Sequence, residues 1–135
     1  MKTLYLISGP SGSGKTTFAS KIKEEKEVEF NFEADHWMMN RHGEYCFESK
    51  RLGYCHHQCQ EHTENIMKSG KDVIVSNTSL TVKEAKPYIN LAKKYQYKIE
   101  IHHMTGQFEN VHNVPDWKVE EMRLSHQLYS LEDFN

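Results

Sequence analysis

Four short apolar stretches recur along the chain, and each is followed by a stretch with helical spacing. That alternation predicts an α/β domain built on a parallel sheet. Leu4 to Ser8 reads as a buried strand, and Gly9 to Gly14 as a turn. Thr16 to Glu25 places Phe18 and Ile22 on one helical face. Val28 to Ala34 alternates without a break, with Val28, Phe30, Phe32 and Ala34 toward a core and Glu29, Asn31 and Glu33 on the other side. This predicts a half-buried strand ending at Asp35. His36 to Ser49 is irregular and rich in aromatics. From Lys50 to Ser69, Leu52, Cys55, Cys59, His62 and Ile66 form one stripe, and Gly70 can end that helix. Asp72 to Ser76 is the third strand. Thr81 and Glu84 form a capping box for a helix through Tyr95, which Pro87 should kink or delay. Lys98 to Met104 is the fourth strand, 105–114 a loop, and Pro115 to Tyr129 a last helix opened by proline.

Where the first strand meets the first helix, Gly9-Pro10-Ser11-Gly12-Ser13-Gly14-Lys15-Thr16 fits G-x-x-x-x-G-K-[ST] at every fixed position. Glycines let successive backbone N–H groups turn inward onto phosphate oxygens, and the helix that follows adds the positive end of its dipole. Lys15 reaches the β- and γ-phosphates, and the Thr16 hydroxyl can ligate Mg²⁺. The expected ATP-binding set is therefore the eight motif residues together with Thr17, and the cofactors are ATP and Mg²⁺.

Ligands of open α/β sheets bind outside the carboxyl ends of the strands, which is where Asp35 falls. A carboxylate there can take the proton of an attacking hydroxyl or hold a metal-bound water; the plainer reading is a cap for the segment beginning at His36. The third strand ends Val75-Ser76-Asn77-Thr78 without a carboxylate, and Asp72 stands at its wrong end. The metal is then expected on Thr16, phosphates and waters, with Asp35 as the nearest acid. That arrangement suits a small kinase better than a motor ATPase.

At 135 residues the chain is expected to be one domain, 1–135. Two Trp, seven Tyr and six Phe can anchor its core despite 27% charged residues. A net charge of −2 with only three arginines argues against wrapping long nucleic acid, but leaves room for gripping a small ligand or one strand end. There is no apolar run of the ~20 residues a membrane helix needs, no secretory signal pattern, and an odd number of cysteines. These features predict a cytoplasmic protein without membrane contact or a disulfide framework. Cys55, His56, His57, Cys59 and His62 have the look of a zinc cluster, but a single helix rarely supplies such a site, and the apolar stripe explains the cysteines.

The motif, together with Asp35, Gly43-Glu44-Tyr45-Cys46-Phe47, Val73 to Ser79, Lys86-Pro87-Tyr88 and Asn110-Val111-His112-Asn113-Val114-Pro115, resembles the polynucleotide kinase-like and zeta-toxin-like small P-loop phosphotransferases over about residues 2–125. The resemblance implies a four-stranded sheet in the order 2-3-1-4 with helices on both faces. It implies transfer of the ATP γ-phosphoryl group to a hydroxyl, on a nucleic-acid 5′ end, a nucleotide or a nucleoside-like molecule, with Asp35 as base. With Asp35 as base and Asn77 at the matching third-strand position, Arg41 is the nearest arginine that follows, and Tyr45, in the irregular aromatic stretch, offers a surface on which an acceptor base could stack; Asp35, Arg41, Tyr45 and Asn77 are the expected acceptor-side residues. Three positions depart from the pattern. Met38 and Met39 stand where an arginine follows the base, Asn77 replaces an acid, and Glu109 replaces a lid arginine. Arg123 is the best substitute cation, with Lys118 behind it. The alternatives are a non-catalytic ATP-binding module acting through a protein partner, and a slow ATPase.

Overall fold

The structure, a computed structural model, describes residues 2–10, 12–38, 42–44, 49–78, 81–106 and 115–134; of Asp35 and Ser49 it describes the backbone alone. Strands β1 (Thr3–Ser8), β2 (Phe30–Phe32), β3 (Val73–Val75) and β4 (Lys98–His103) form one parallel sheet in the order β2-β3-β1-β4. The helices are α1 (Lys15–Glu25), α2 (Leu52–Lys68), α3 (Val82–Lys94) and α4 (Asp116–Ser125), with 3-10 turns at Ala34–Trp37, Ser49–Arg51 and Leu131–Phe134.

The period of two along the central strands divides the core between two layers. Leu4, Leu6, Val73 and Val75 face Cys55, Cys59, Met67, Ala85, Tyr88 and Ile89 of α2 and α3. Tyr5, Ile7 and Ile74 face Ala19 and Ile22 of α1. Helices on both faces leave the carboxyl edge of the sheet as the open rim where loops converge.

Four features differ from the sequence expectation by more than a residue at an element's end. β2 is three residues long, and the unbroken alternation does not survive: Val28 packs with the α1 layer, whereas Phe30, Phe32 and Ala34 pack with the α2–α3 layer. The left-handed backbone at Glu27 (φ 53°) turns the chain just ahead of this segment. On α2 the fully buried stripe is Cys55, Cys59, Thr63 and Met67, so it drifts off His62. Exact i, i+4 spacing overshoots a 3.6-residue turn and slants around the helix. His62 lies at the edge instead, its ring 4.9 Å from Trp37 and 6.0 Å from Phe32. Pro87 does not delay α3, which starts at Val82 with Thr81 Oγ1 accepting the Glu84 N–H as the capping box requires. The last helix stops at Ser125 rather than Tyr129. His126 turns to extended backbone, and the chain runs back to the sheet, where Tyr129 is buried.

Candidate functional site

Gly9 to Thr16 closes the carboxyl end of β1. Gly12 (φ 77°) and Gly14 (φ 100°) take left-handed backbone, which a side chain would strain. Gly9 is required for space rather than for its φ angle: a Cβ built there would lie 2.4 Å from Ser13 Oγ and 2.5 Å from Met104 O. The loop is anchored by Gly9 N–H to Thr78 O (3.0 Å), Ser13 N–H to Pro10 O (3.2 Å) and Gly106 N–H to Ser13 O (3.2 Å). α1 begins at Lys15, and Lys15 Nζ lies across the loop, donating to Pro10 O at 3.0 Å. Ser13 Oγ is buried with no hydrogen-bond partner among the described residues.

Beside the loop stands an acid that the sequence reading left on the outer side of β2. Glu33 is 8% exposed. Its Oε1 accepts from Thr16 Oγ1 (3.3 Å) and Ser76 Oγ (3.0 Å). His36 Nδ1 accepts the Glu33 backbone N–H at 3.4 Å, which leaves the ring hydrogen on Nε2, 3.5 Å from Glu33 Oε2. The signal is in the sequence, since Glu33, like Asp35, follows the carboxyl end of β2. The donors gathered at Thr16 are oxygens, hydroxyl and carboxylate, the type a hard cation such as Mg²⁺ takes.

Asp35 lies in the 3-10 turn Ala34–Trp37, past the end of β2 at Phe32 rather than on the strand; its side chain is outside the described set. What fixes that turn is Asn77. This residue is 4% exposed, accepts the Ala34 N–H at 2.6 Å through Oδ1, and donates through Nδ2 to Tyr88 OH (3.0 Å) and Cys59 Sγ (3.6 Å). Asn77, expected on the acceptor side, braces the backbone next to Asp35. Burial raises both the Tyr88 phenol and the Cys59 thiol, so both stay protonated beside it.

Arg123 is on α4, with Nη1 3.4 Å from Glu120 one turn earlier, and Lys118 pairs with Glu121 in the same way. Arg41, Tyr45, Ser11, Glu109 and the 110–114 segment lie outside the described residues.

The returning C-terminal segment adds a group that sequence reasoning missed. His126 Nε2 lies 3.2 Å from Ser8 Oγ, the residue before Gly9, and 3.1 Å from His103 Nδ1. His103 Nε2 lies 2.8 Å from the Tyr129 carbonyl, which can only accept, so a neutral His103 takes the His126 Nε2–H at Nδ1. The His126 pKa is lowered by burial first, then by His103 and by Lys15.

A family model described as an AAA domain matches residues 4–109. The chain belongs to this family. It is 33% identical over 97 residues to human (Homo sapiens) NEDD4-binding protein 2, an alignment covering 71% of this chain and 5% of that protein. It is 30% identical over 137 residues to protein PM0531 of Pasteurella multocida (strain Pm70), covering 92% of this chain and 76% of that one. Among solved structures, a chain of the Pnkp1/Rnl/Hen1 RNA repair complex superposes with a TM-score of 0.73 at 17% identity, over 99% of this chain and 46% of that chain. The Mycobacterium tuberculosis APS kinase CysC, in complex with AMPPNP and APS, superposes with a TM-score of 0.57 at 15% identity, over 89% of this chain and 66% of that one. The chain shares the α/β fold of these structures, a parallel sheet with helices on both faces.

Proposed function

We propose that this AAA-domain chain is an ATP-dependent phosphotransferase that moves the γ-phosphoryl group to a hydroxyl of a nucleic-acid 5′ end, a nucleotide or a nucleoside-like acceptor. The observation that carries the reading is the phosphate loop itself. Its two left-handed glycines and the close approach at Gly9 set the backbone for a polyphosphate, with Lys15 at the start of α1. In this reading the loop amides and the helix terminus bind the phosphates, and Lys15 follows the charge that builds on the transferring group. Mg²⁺, when bound at Thr16, supplies neutralising charge between the phosphates. Asp35 takes the acceptor's proton, and the Asn77 bond to Ala34 holds the turn that carries it. Arg123 is a candidate for the added cation, and Arg41 and Tyr45 for acceptor contacts.

The test is incubation with γ-labelled ATP, Mg²⁺ and a panel of 5′-hydroxyl oligonucleotides, nucleotides and nucleosides. Label should pass to one acceptor class, and Asp35→Asn should abolish transfer while leaving ATP affinity within about twofold. Lys15→Ala should remove the thermal stabilisation given by ATP, which for a ligand at 100 times its Kd is about 2.7 kcal/mol. Equal stabilisation of Lys15→Ala and wild type would refute the phosphate-loop assignment. A second reading, an ATP-binding module that reports nucleotide state to a protein partner, is favoured by Asn77 being spent inside the core and by the Arg123–Glu120 pair. Tight ATP binding without label transfer or phosphate release would select it.

A further inference from the structure

We infer that Glu33 is the second acid of this site: with the Thr16 hydroxyl it holds the divalent cation that accompanies a nucleoside triphosphate, directly or through one bound water. The inference rests on the phosphate-loop reading and adds to it a residue that neither the motif nor the resemblance assigns.

Geometry is the first argument. Glu33 Oε1 lies 3.3 Å from Thr16 Oγ1. Two ligand oxygens on neighbouring vertices of an octahedron with bonds of 2.0–2.1 Å are about 2.9 Å apart. A cation of that size therefore needs only a small adjustment to be shared by the two. Mg²⁺ sites commonly combine one or two carboxylates with substrate phosphates and waters, and here the hydroxyl and the carboxylate are already side by side.

Without a cation the arrangement is also costly. Glu33 is almost fully buried and stands against the phosphate loop, where an anion opposes a polyphosphate. Among the described residues its partners only partly offset the burial: two neutral hydroxyls, of which Ser76 also faces Asn31 Oδ1 at 3.0 Å, and His36 at 3.5 Å. A cation between Glu33 and the phosphates turns that repulsion into attraction on both sides. The arrangement also divides the labour of two carboxylates two residues apart, since a metal held by Glu33 leaves Asp35 for the acceptor's proton.

Opposite signs distinguish this role from a structural one. ATP affinity is measured by calorimetry in EDTA and in Mg²⁺ for wild type, Glu33→Gln and Ser76→Ala, alongside Mn²⁺ binding in the presence of ATP by electron paramagnetic resonance. In wild type, Mg²⁺ should tighten ATP binding. Glu33→Gln should bind metal-free ATP as well as wild type or better, while its gain from Mg²⁺ and its Mn²⁺ affinity in the ternary complex fall by about tenfold or more. Ser76→Ala, which keeps the carboxylate, should retain the metal's effect.

Loss of affinity by the same factor in EDTA and in Mg²⁺, an unchanged gain from Mg²⁺ in Glu33→Gln, or an equal loss of that gain in Ser76→Ala overturns the inference. A wild-type chain that binds ATP in neither condition refutes the phosphate-loop reading instead. If Glu33→Gln does not fold, as its ligand-free melting curve would reveal, Glu33→Asp decides. The carboxylate drawn back by one methylene should keep metal-free affinity and weaken the Mg²⁺ gain, and an undiminished gain rejects the role.

Discussion

Single side chains at the rim of the sheet do more than the motif's pattern conveys. Gly9 is needed because Met104 O stands where its Cβ would be, and a carbonyl oxygen, unlike the Ser13 hydroxyl, cannot rotate away. Gly9→Ala should therefore cost about 1–3 kcal/mol in urea unfolding, the range for overpacking, and weaken ATP binding as well. Asn77 shows how a departure from a family pattern can be absorbed by packing. Its amide satisfies the Ala34 N–H and reaches Tyr88 and Cys59, all of them buried. Asn77→Ala should destabilise the fold by about 2–4 kcal/mol, since it leaves buried polar groups unpaired and opens a cavity. Because the turn bearing Asp35 loses its brace, label transfer should fall further than ATP affinity.

Elements were legible where a local rule alone governs them. The Thr81–Glu84 capping box is present as its spacing demands, and Thr81→Ala should lower stability by about 1 kcal/mol, measurable by thermal or urea unfolding. Gly70, at φ 76°, follows the end of α2 as a helix-terminating glycine should. Legibility failed where two layers compete for one segment. The alternation from Val28 to Ala34 is regular in sequence, yet the α1 layer claims Val28 and the α2–α3 layer claims Phe30 and Phe32. A period of two shows that side chains alternate; it does not show that the backbone stays flat between them. For the same reason Glu33, polar and therefore read as outward, is turned toward Thr16 and Ser76. The polar side of β2 at that end faces the phosphate loop rather than water. In α4, helical propensity carried the expectation to Tyr129, but the burial of Tyr129 against His103 and Phe134 pulls the chain out of the helix after Ser125.

Taken whole, the molecule is tied together by that returning C-terminal segment. Gln127 Oε1 accepts the Val82 N–H at the start of α3, Lys93 Nζ donates to Phe134 O, and His126 reaches Ser8 and His103 at the ends of β1 and β4. Burial pushes the Tyr129 phenol up to about 12, so it remains neutral there. The His126 imidazole has the opposite displacement, its pKa lowered below the ordinary 6.5 by burial, His103 and Lys15. Between the lowered folded value and 6.5, the unfolded chain binds more protons at this site than the folded one. Stability from this group is therefore fully present above pH 6.5 and is lost as pH falls through that window. The wild-type melting temperature should drop more steeply below pH 6.5 than that of His126→Gln, which preserves a donor toward Ser8 and His103 but does not titrate. Parallel pH–melting curves for the two proteins would show that protonation of this histidine is not linked to folding.

The order of the chain alone determined the α/β alternation, the phosphate loop and the helix ends at Gly70 and Thr81, because backbone sterics, spacing and caps act over a few residues. Tertiary structure decided which face of the sheet each residue of β2 serves, where α4 stops, that Glu33 meets Thr16 and Ser76, that Asn77 reaches Ala34, and that His126 reaches Ser8. Those choices join positions up to 118 residues apart, as Ser8 and His126 are, and they depend on how layers share a core and on which buried polar groups find partners.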